Sequence, residues 1–433
     1  MTTAAWPLGR DRARPEARPT VLDGLAFACG VFILFIYSQA WLGPLINYGD
    51  ATAAGPLIRV IYFPAYAATL FLVATALPRT VEGFLRSPLL VALLLLTAAS
   101  WFWSVDPSAT IRRFVALGFT TLGGVALAAR FRWPTLTEVC AATFAALAVA
   151  SVVVALVKPE WGRMSDLFPG AWRGLWLEKN NLGGNMTVGF GFCAAAAALV
   201  PQRRWMWAAF ALLCMGLVAV STSKTALVVL ALMIGCLAFV WLVRRGPAIG
   251  VAMAWLAVVG VTLAICIGLF AADAVFDFLG KDATLTGRTE IWDAIVRVME
   301  GHAWTGFGYG AIWDDTDAFA PLAWITHYAN FRAGHAHNGW MEIWINIGLL
   351  GVIAFGLWFI ETWFRTIWTT LATGQGAWIA LPFMAAYSIA MLTESITLTW
   401  HDMRWVLFCM VAVKLALGAD QLDRSARFSS ARP

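Results

Sequence analysis

The sequence predicts an all-α fold, a polytopic membrane helix bundle of about twelve transmembrane helices with one long periplasmic loop containing amphipathic helices. Three observations carry that expectation. The chain is 61% hydrophobic and 13% charged, where a soluble domain carries roughly a quarter charged residues. Apolar runs close to the ~20 residues needed to cross a bilayer recur along almost its whole length. Arginines gather in alternate connections between those runs, as the positive-inside rule requires.

The runs lie near 21–42, 57–77, 88–104, 111–130, 136–157, 181–200, 205–221, 224–243, 248–272, 341–364, 376–396 and 399–417. They divide the chain into a cytoplasmic tail (1–20), nine spans (21–272) interrupted by a periplasmic loop (158–180), a long periplasmic loop (273–340), three spans (341–417) and a cytoplasmic tail (418–433). The first run is too long for a signal-peptide core and has no evident cleavage site, so a retained first helix is expected. Arg10, Arg12, Arg14 and Arg18 precede it. Arg79 and Arg86, Arg130 and Arg132, Arg203 and Arg204, Arg244 and Arg245, and Arg365 occupy alternate turns, and Arg424, Arg427 and Arg432 the C-terminal tail. All fall on one side if both termini are cytoplasmic. The net charge of +5 is then mostly topology and no footprint for nucleic acid. Seven cysteines (Cys29, Cys140, Cys193, Cys214, Cys236, Cys266 and Cys409) sit in apolar segments without metal-site spacing, and read as packing residues with no disulfide.

The opposite face is chemically richer. The loop "KPEWGRMSDLFPGAWRGLWLEKNNLGG" interleaves Trp161, Trp172 and Trp176 with Arg163, Arg173 and Lys179, a mixture that suits an aromatic belt at the interface and equally a sugar phosphate. The long loop is acidic, with Asp273, Asp277, Asp282, Asp314, Asp315 and Asp317. Within it, "GRTEIWDAIVRVMEGH" aligns Ile291, Trp292, Ile295, Val298 and Met299 on one helical stripe, fit for the bilayer surface or for packing on the bundle. Cations also stand at the outer ends of spans: Arg112 and Arg113, Lys179, Lys224 and Arg288. A single one of these reads as a snorkelling anchor. Several on the face that the positive-inside rule keeps poor in cations point to an anionic ligand at the outer leaflet.

The stretch "GHAHNGWMEIW" places His335 and His337, two of the five histidines, against the start of an apolar helix. No phosphate loop, dinucleotide fingerprint or HExxH occurs. "GFGYG" (306–310) reads as a flexible turn and "DDTD" (314–317) as a solvated one, so no metal and no cofactor are expected.

In order, "WSVDPSATIRR", "GLWLEKNNLGG", "STSKTALV", "TGRTEIW" and "HAHNGWMEIWINIGLLG" resemble successive signatures of the bacterial O-antigen ligase and polysaccharide polymerase superfamily, with the exopolysaccharide polymerase branch nearest. The resemblance covers roughly residues 100 to 350. It implies an inner-membrane glycosyltransferase with an undecaprenyl-diphosphate-linked oligosaccharide as donor, a glycan hydroxyl as acceptor, and neither metal nor nucleotide. His337 matches the family's loop histidine, a candidate for activating the acceptor hydroxyl, and Arg288 an arginine that holds the diphosphate. Lys224 falls where many ligases carry arginine; lysine keeps the charge and loses the bidentate fork. Glu178 stands where relatives often have histidine, so no role is carried to residue 178, while Lys179 keeps its expected contact. Asn338 is expected to orient the imidazole or the acceptor, and Glu342, one turn on, to pair with a cation or histidine. Arg112, Arg113, Arg173 and His335 complete the expected substrate contacts, with a structural role for His335 weighed beside chemistry.

Three functions stay open: a polymerase of lipid-linked repeats, a ligase that moves finished glycan to lipid A core or protein, and a transporter or flippase. The charges cluster at one end of the spans and no internal repeat is evident, which favours an enzyme over a conduit. A polymerase also implies a chain-length regulator or flippase as a partner.

Overall fold

A chain surrounded by lipid must satisfy its backbone polar groups internally, and this one does so with helices. The computed structural model describes residues 20–48, 55–165, 168–270, 287–313, 317 and 320–418. The terminal arginines, Asp273, Asp277, Asp282, Asp314 and Asp315 lie outside them. No strand occurs among the described residues; one antiparallel bridge, Arg163 with Trp172, closes the loop that contains it.

The helices are α1 (Val21–Tyr37), α2 (Leu57–Thr75), α3 (Leu77–Leu85), α4 (Pro88–Ala99), α5 (Pro107–Arg130), α6 (Trp133–Val157), α7 (Lys179–Leu199), α8 (Arg204–Val220), α9 (Lys224–Val243), α10 (Pro247–Phe270), α11 (Arg288–Val298), α12 (Pro321–Ala329), α13 (Gly339–Leu371), α14 (Ala377–Ala390) and α15 (Met403–Leu417). Among the described residues, length and composition qualify seven helices as crossings, or eight if α3 and α4, bent by 84°, act as one. The sequence pattern predicted about twelve. Of the other expected runs, α1, α14 and α15, with 17, 14 and 15 residues, are helical where expected but shorter than a span.

The most buried helix is α15, whose side chains from Trp405 to Val413 are all removed from solvent. A helix apolar on every side belongs inside a bundle. It lies along α5, where a Cβ on Gly124 would stand 2.5 Å from the Val406 carbonyl oxygen, and Trp405 Nε1 donates to Thr121 Oγ1 at 2.9 Å. At the basic end, connections tie to one another: Arg130 pairs with Asp23, Arg86 donates to the Leu417 carbonyl and Arg365 to that of Arg86. The buried Lys414 donates to the Phe131 carbonyl, a buried acceptor just past the end of α5.

At the other end α11 and α12 form a small separate core. Ile291, Ile295 and Met299 pack with Leu322, Ile325 and Ile345, so the amphipathic stripe of α11 is used for packing on neighbouring elements. The stretch expected as a flexible turn is instead locked. Helix α13 breaks at Ile347 and Gly348, whose φ of 69° and ψ of −171° are essentially a glycine conformation. The freed backbone groups pair with residues 303–308: Phe307 N–H donates to the Ile345 carbonyl (3.0 Å), Gly308 N–H to that of Asn346 (2.9 Å), and Leu349 N–H to that of Ala303 (2.8 Å).

A Cβ at Gly348 would lie 2.2 Å from the Trp304 carbonyl. Gly348→Ala is therefore expected to lose about 1–3 kcal/mol from backbone strain alone, with the clash added. Gly356→Ala, whose nearest neighbour would be Trp340 at 3.7 Å, should unfold at the wild-type temperature. Thermal unfolding of both variants in detergent checks the pair, and equal melting temperatures would contradict the packed break.

Candidate active site

Four helices begin around one cavity of about 380 Å³, each with a cation in its first two residues: Lys179 on α7, Lys224 on α9, Arg288 on α11 and Arg404 on α15. Helix N-termini carry partial positive charge and favour anions, so the dipoles and side chains act in the same sense. Local contacts fix the starts. Ser223 Oγ, just before α9, donates to Asn180 Oδ1 on α7 (2.9 Å). The Lys179 ammonium donates to Thr222 Oγ1 (3.3 Å) and stands over the Phe168 ring. Asp402 caps α15 through the Arg404 N–H and holds the Arg404 guanidinium with both oxygens. Toward the bundle the same cavity is apolar, lined by Val188, Val229, Phe383 and Ala386.

A second cavity of about 440 Å³ adjoins it. Asn180, Asn181, Asn185, Arg288, Glu394 and Arg404 line both, and form the seam between them. His335, His337, Glu342 and Arg113 line the second alone. The two imidazoles lie 3.8 Å apart by ring centroid, and the His337 N–H donates to His335 Nδ1 (3.2 Å), which requires that nitrogen unprotonated. Nδ1 of His337 is buried without a partner. Burial pulls His335 down to about 4, helped by Arg404 and Arg288, and pulls His337 down to about 4, helped by His335 and Arg288. Both rings are therefore neutral near pH 7. The backbone of His337 is left-handed, φ 52°.

The structure gives Asn338 and Glu342 supporting work. Asn338 is the N-cap of α13: its Oδ1 accepts from Trp340 and Met341 N–H (2.9 and 3.2 Å), and its Nδ2 donates to the Leu392 carbonyl. It lines neither cavity, so its expected contact with imidazole or acceptor gives way to capping. Among the described residues Glu342 pairs with no cation or histidine. Its carboxylate accepts from Trp313 Nε1 (2.6 Å), Asn346 Nδ2 (3.2 Å), Ala336 N–H (3.0 Å) and Ser395 Oγ (2.9 Å), and so clamps three segments behind the histidines.

Of the other expected contacts, Arg113 faces the second cavity with its guanidinium over Trp400, 5.0 Å from the ring centre. Arg112 donates to Ser108 on the exposed side of α5 and lines neither cavity. Arg173 is likewise remote, because it donates to the Trp161 and Glu160 carbonyls and stacks on Tyr48. Two tryptophans of that loop are partnered by its own cations, Lys158 over Trp161 and Arg163 over Trp172, while Trp176 donates to the Ser38 carbonyl and lines the second cavity. Sequence reasoning missed the segment 391–404 completely. It carries Glu394, Asp402 and Arg404, together with His401, whose ring stacks 3.4 Å from Tyr62. These residues had been counted inside two adjoining spans, and three charged side chains within supposed membrane segments were the available signal.

Residues 208–356 match the family described as O-Antigen ligase. Over that segment the chain is similar to the O-antigen ligase family. The matched segment holds Lys224, Arg288, both cavity histidines, Glu342 and the break in α13. The exopolysaccharide production protein ExoQ of Rhizobium meliloti (strain 1021) is 32% identical over 187 residues, which is 42% of this chain and 43% of that protein. The match thus spans less than half of the relative. The apolar helices, seven of them among the described residues long enough to cross a bilayer, make this a multi-pass membrane protein.

Two outcomes follow from the site. Asn338→Ala should lower stability by about 0.5–2 kcal/mol, as for lost N-caps elsewhere, whereas Asn338→Asp should keep the cap; urea unfolding in detergent measures both. The histidines bind protons more weakly folded than unfolded, so the unfolded chain holds more protons between pH about 4 and 6.5. Stability should therefore fall as pH drops through that window, and His335→Gln should flatten the slope. A melting temperature independent of pH there would contradict the buried pair.

Proposed function

We propose that the chain is an inner-membrane glycosyltransferase that polymerises undecaprenyl-diphosphate-linked oligosaccharide repeats at the periplasmic face. The observation that carries this reading is the set of four cation-bearing helix starts around a cavity that continues into a second one bearing histidines. A sugar on a diphosphate already has a competent leaving group once its charge is neutralised. Lys179, Lys224, Arg288 and Arg404 supply that neutralisation, the apolar wall below them accepts the start of the lipid, and the reaction needs no metal or cofactor. The acceptor glycan enters through the second cavity, where His337 engages its hydroxyl.

The relative's name, an exopolysaccharide production protein, favours chain growth. The family's description keeps a second reading, transfer of finished glycan to lipid A core or protein.

Loss of a charged hydrogen bond costs about 1.5–3 kcal/mol. Lys224→Gln in nanodiscs should accordingly bind undecaprenyl diphosphate about 10- to 100-fold more weakly, and unchanged binding would contradict the placement of the diphosphate. In cells, His337→Ala should abolish long polymer and leave single lipid-linked repeats. Lipopolysaccharide without its O-chain, with polymer retained on undecaprenol, would establish the ligase reading. Normal glycans from a folded variant would remove His337 from the reaction.

A further inference from the structure

The proposed reaction requires a group to take the acceptor proton, and the position of the reacting atoms limits the choice. The donor's anomeric carbon hangs from a diphosphate in the cation-lined cavity. The acceptor oxygen arrives from the histidine-lined one. They meet at the seam, lined by three asparagines, two arginines and Glu394. Carboxamides are not bases at neutral pH and arginine stays protonated, so among the described residues Glu394 alone can take a proton there. It is also the only acid among the residues lining the cation-rich cavity. His337 lines only the second cavity.

We propose that Glu394 is the general base of the transfer and that His337 orients the acceptor. This rests on the glycosyltransferase reading above. In the step, a lone pair of the acceptor oxygen forms the bond to the anomeric carbon and the carbon–oxygen bond to the diphosphate breaks. That electron pair leaves with the diphosphate, and the hydroxyl proton passes to the Glu394 carboxylate, which later returns it to water.

The surroundings suit the role. Arg288 Nη2 stands 3.6 Å from Glu394 Oε1, close enough to orient the carboxylate without capturing it in a short bond. Asp402 occupies the guanidinium of Arg404, the other cation nearby. Burial pushes the Glu394 carboxyl up, against the pull of Arg404 and Arg288 and together with Glu178 and Asp402. A bound diphosphate adds negative charge to both arginines and raises its basicity further. Across the second cavity Glu394 faces Arg113, Glu342, His335 and His337, and the two neutral imidazoles are weak bases by the same burial.

The test uses the full chain in proteoliposomes with a lipid-diphosphate-linked repeat as donor and acceptor. Glu394→Gln should lower kcat by about 10²- to 10⁴-fold, the usual contribution of a general base, while undecaprenyl diphosphate binds at least as tightly as to wild type. Added formate should restore transfer to Glu394→Ala, an outcome a structural role would not produce. The acidic limb of the pH profile should survive in His337→Gln. A Glu394→Gln rate within about threefold of wild type, or rescue failing while undecaprenyl diphosphate still binds, would overturn the assignment. Absence of transfer by the wild type itself would instead overturn the glycosyltransferase reading.

Discussion

A helix that breaks among packed membrane spans must find partners for the backbone groups it frees, and the site depends on how α13 meets that demand. Its break at Ile347–Gly348 is sealed by the run from Ala303 to Gly310, which inserts its own amides and carbonyls into the gap. Only glycine fits at the closest approaches: Gly306 and Gly348 each face backbone atoms within 3 Å of where a Cβ would stand. Asn346 joins the two sides, with its carboxamide oxygen accepting from Gly310 N–H and its nitrogen donating to the Glu342 carbonyl. The first turns of α13 are thereby fixed in direction, and with them Glu342, Asn338 and the histidine loop. Tyr309 extends the same lock to the missed segment by donating to the Leu398 carbonyl (2.7 Å).

The electrostatic design follows from helix ends rather than from any one residue. Lysine and arginine at the starts of four helices add side-chain charge to backbone dipoles that already favour an anion. Burying so much positive charge near lipid is costly without counter-charge. Asp402 and Glu394 supply part of it, and an incoming anion would supply the rest. The second cavity carries acids and neutral imidazoles among its polar groups, which makes it a better place for a hydroxyl-bearing acceptor than for another phosphate.

Much of this was legible in sequence. Apolar runs placed helices at each expected position, and Lys179, Lys224, Arg288, His335 and His337 were singled out before any coordinates. Those residues stand at loop-to-helix junctions, where a charge beside an apolar run is conspicuous. The segment 391–404 was not legible because its threonines, leucine, isoleucine and tryptophan keep the average hydropathy high, so a short polar loop merged with its neighbours. The role of "GFGYG" was hidden for a different reason. Glycines that permit close approach look the same in sequence as glycines that permit flexibility, and only the break in α13, far along the chain, distinguishes them. Arg112 and Arg173 were misplaced because neighbours in sequence on a helix or in a loop can face opposite ways, as Arg112 and Arg113 do.

In the proposed reaction one contiguous pair of cavities brings a lipid-diphosphate donor and a glycan acceptor together. The most direct measurement is chain growth by the purified protein in proteoliposomes supplied with a single lipid-diphosphate-linked repeat and no other protein. The account predicts products lengthened by whole repeats, with one undecaprenyl diphosphate released per linkage. Release of undecaprenyl diphosphate with only free repeat formed, or no turnover of a donor that demonstrably binds, would contradict it.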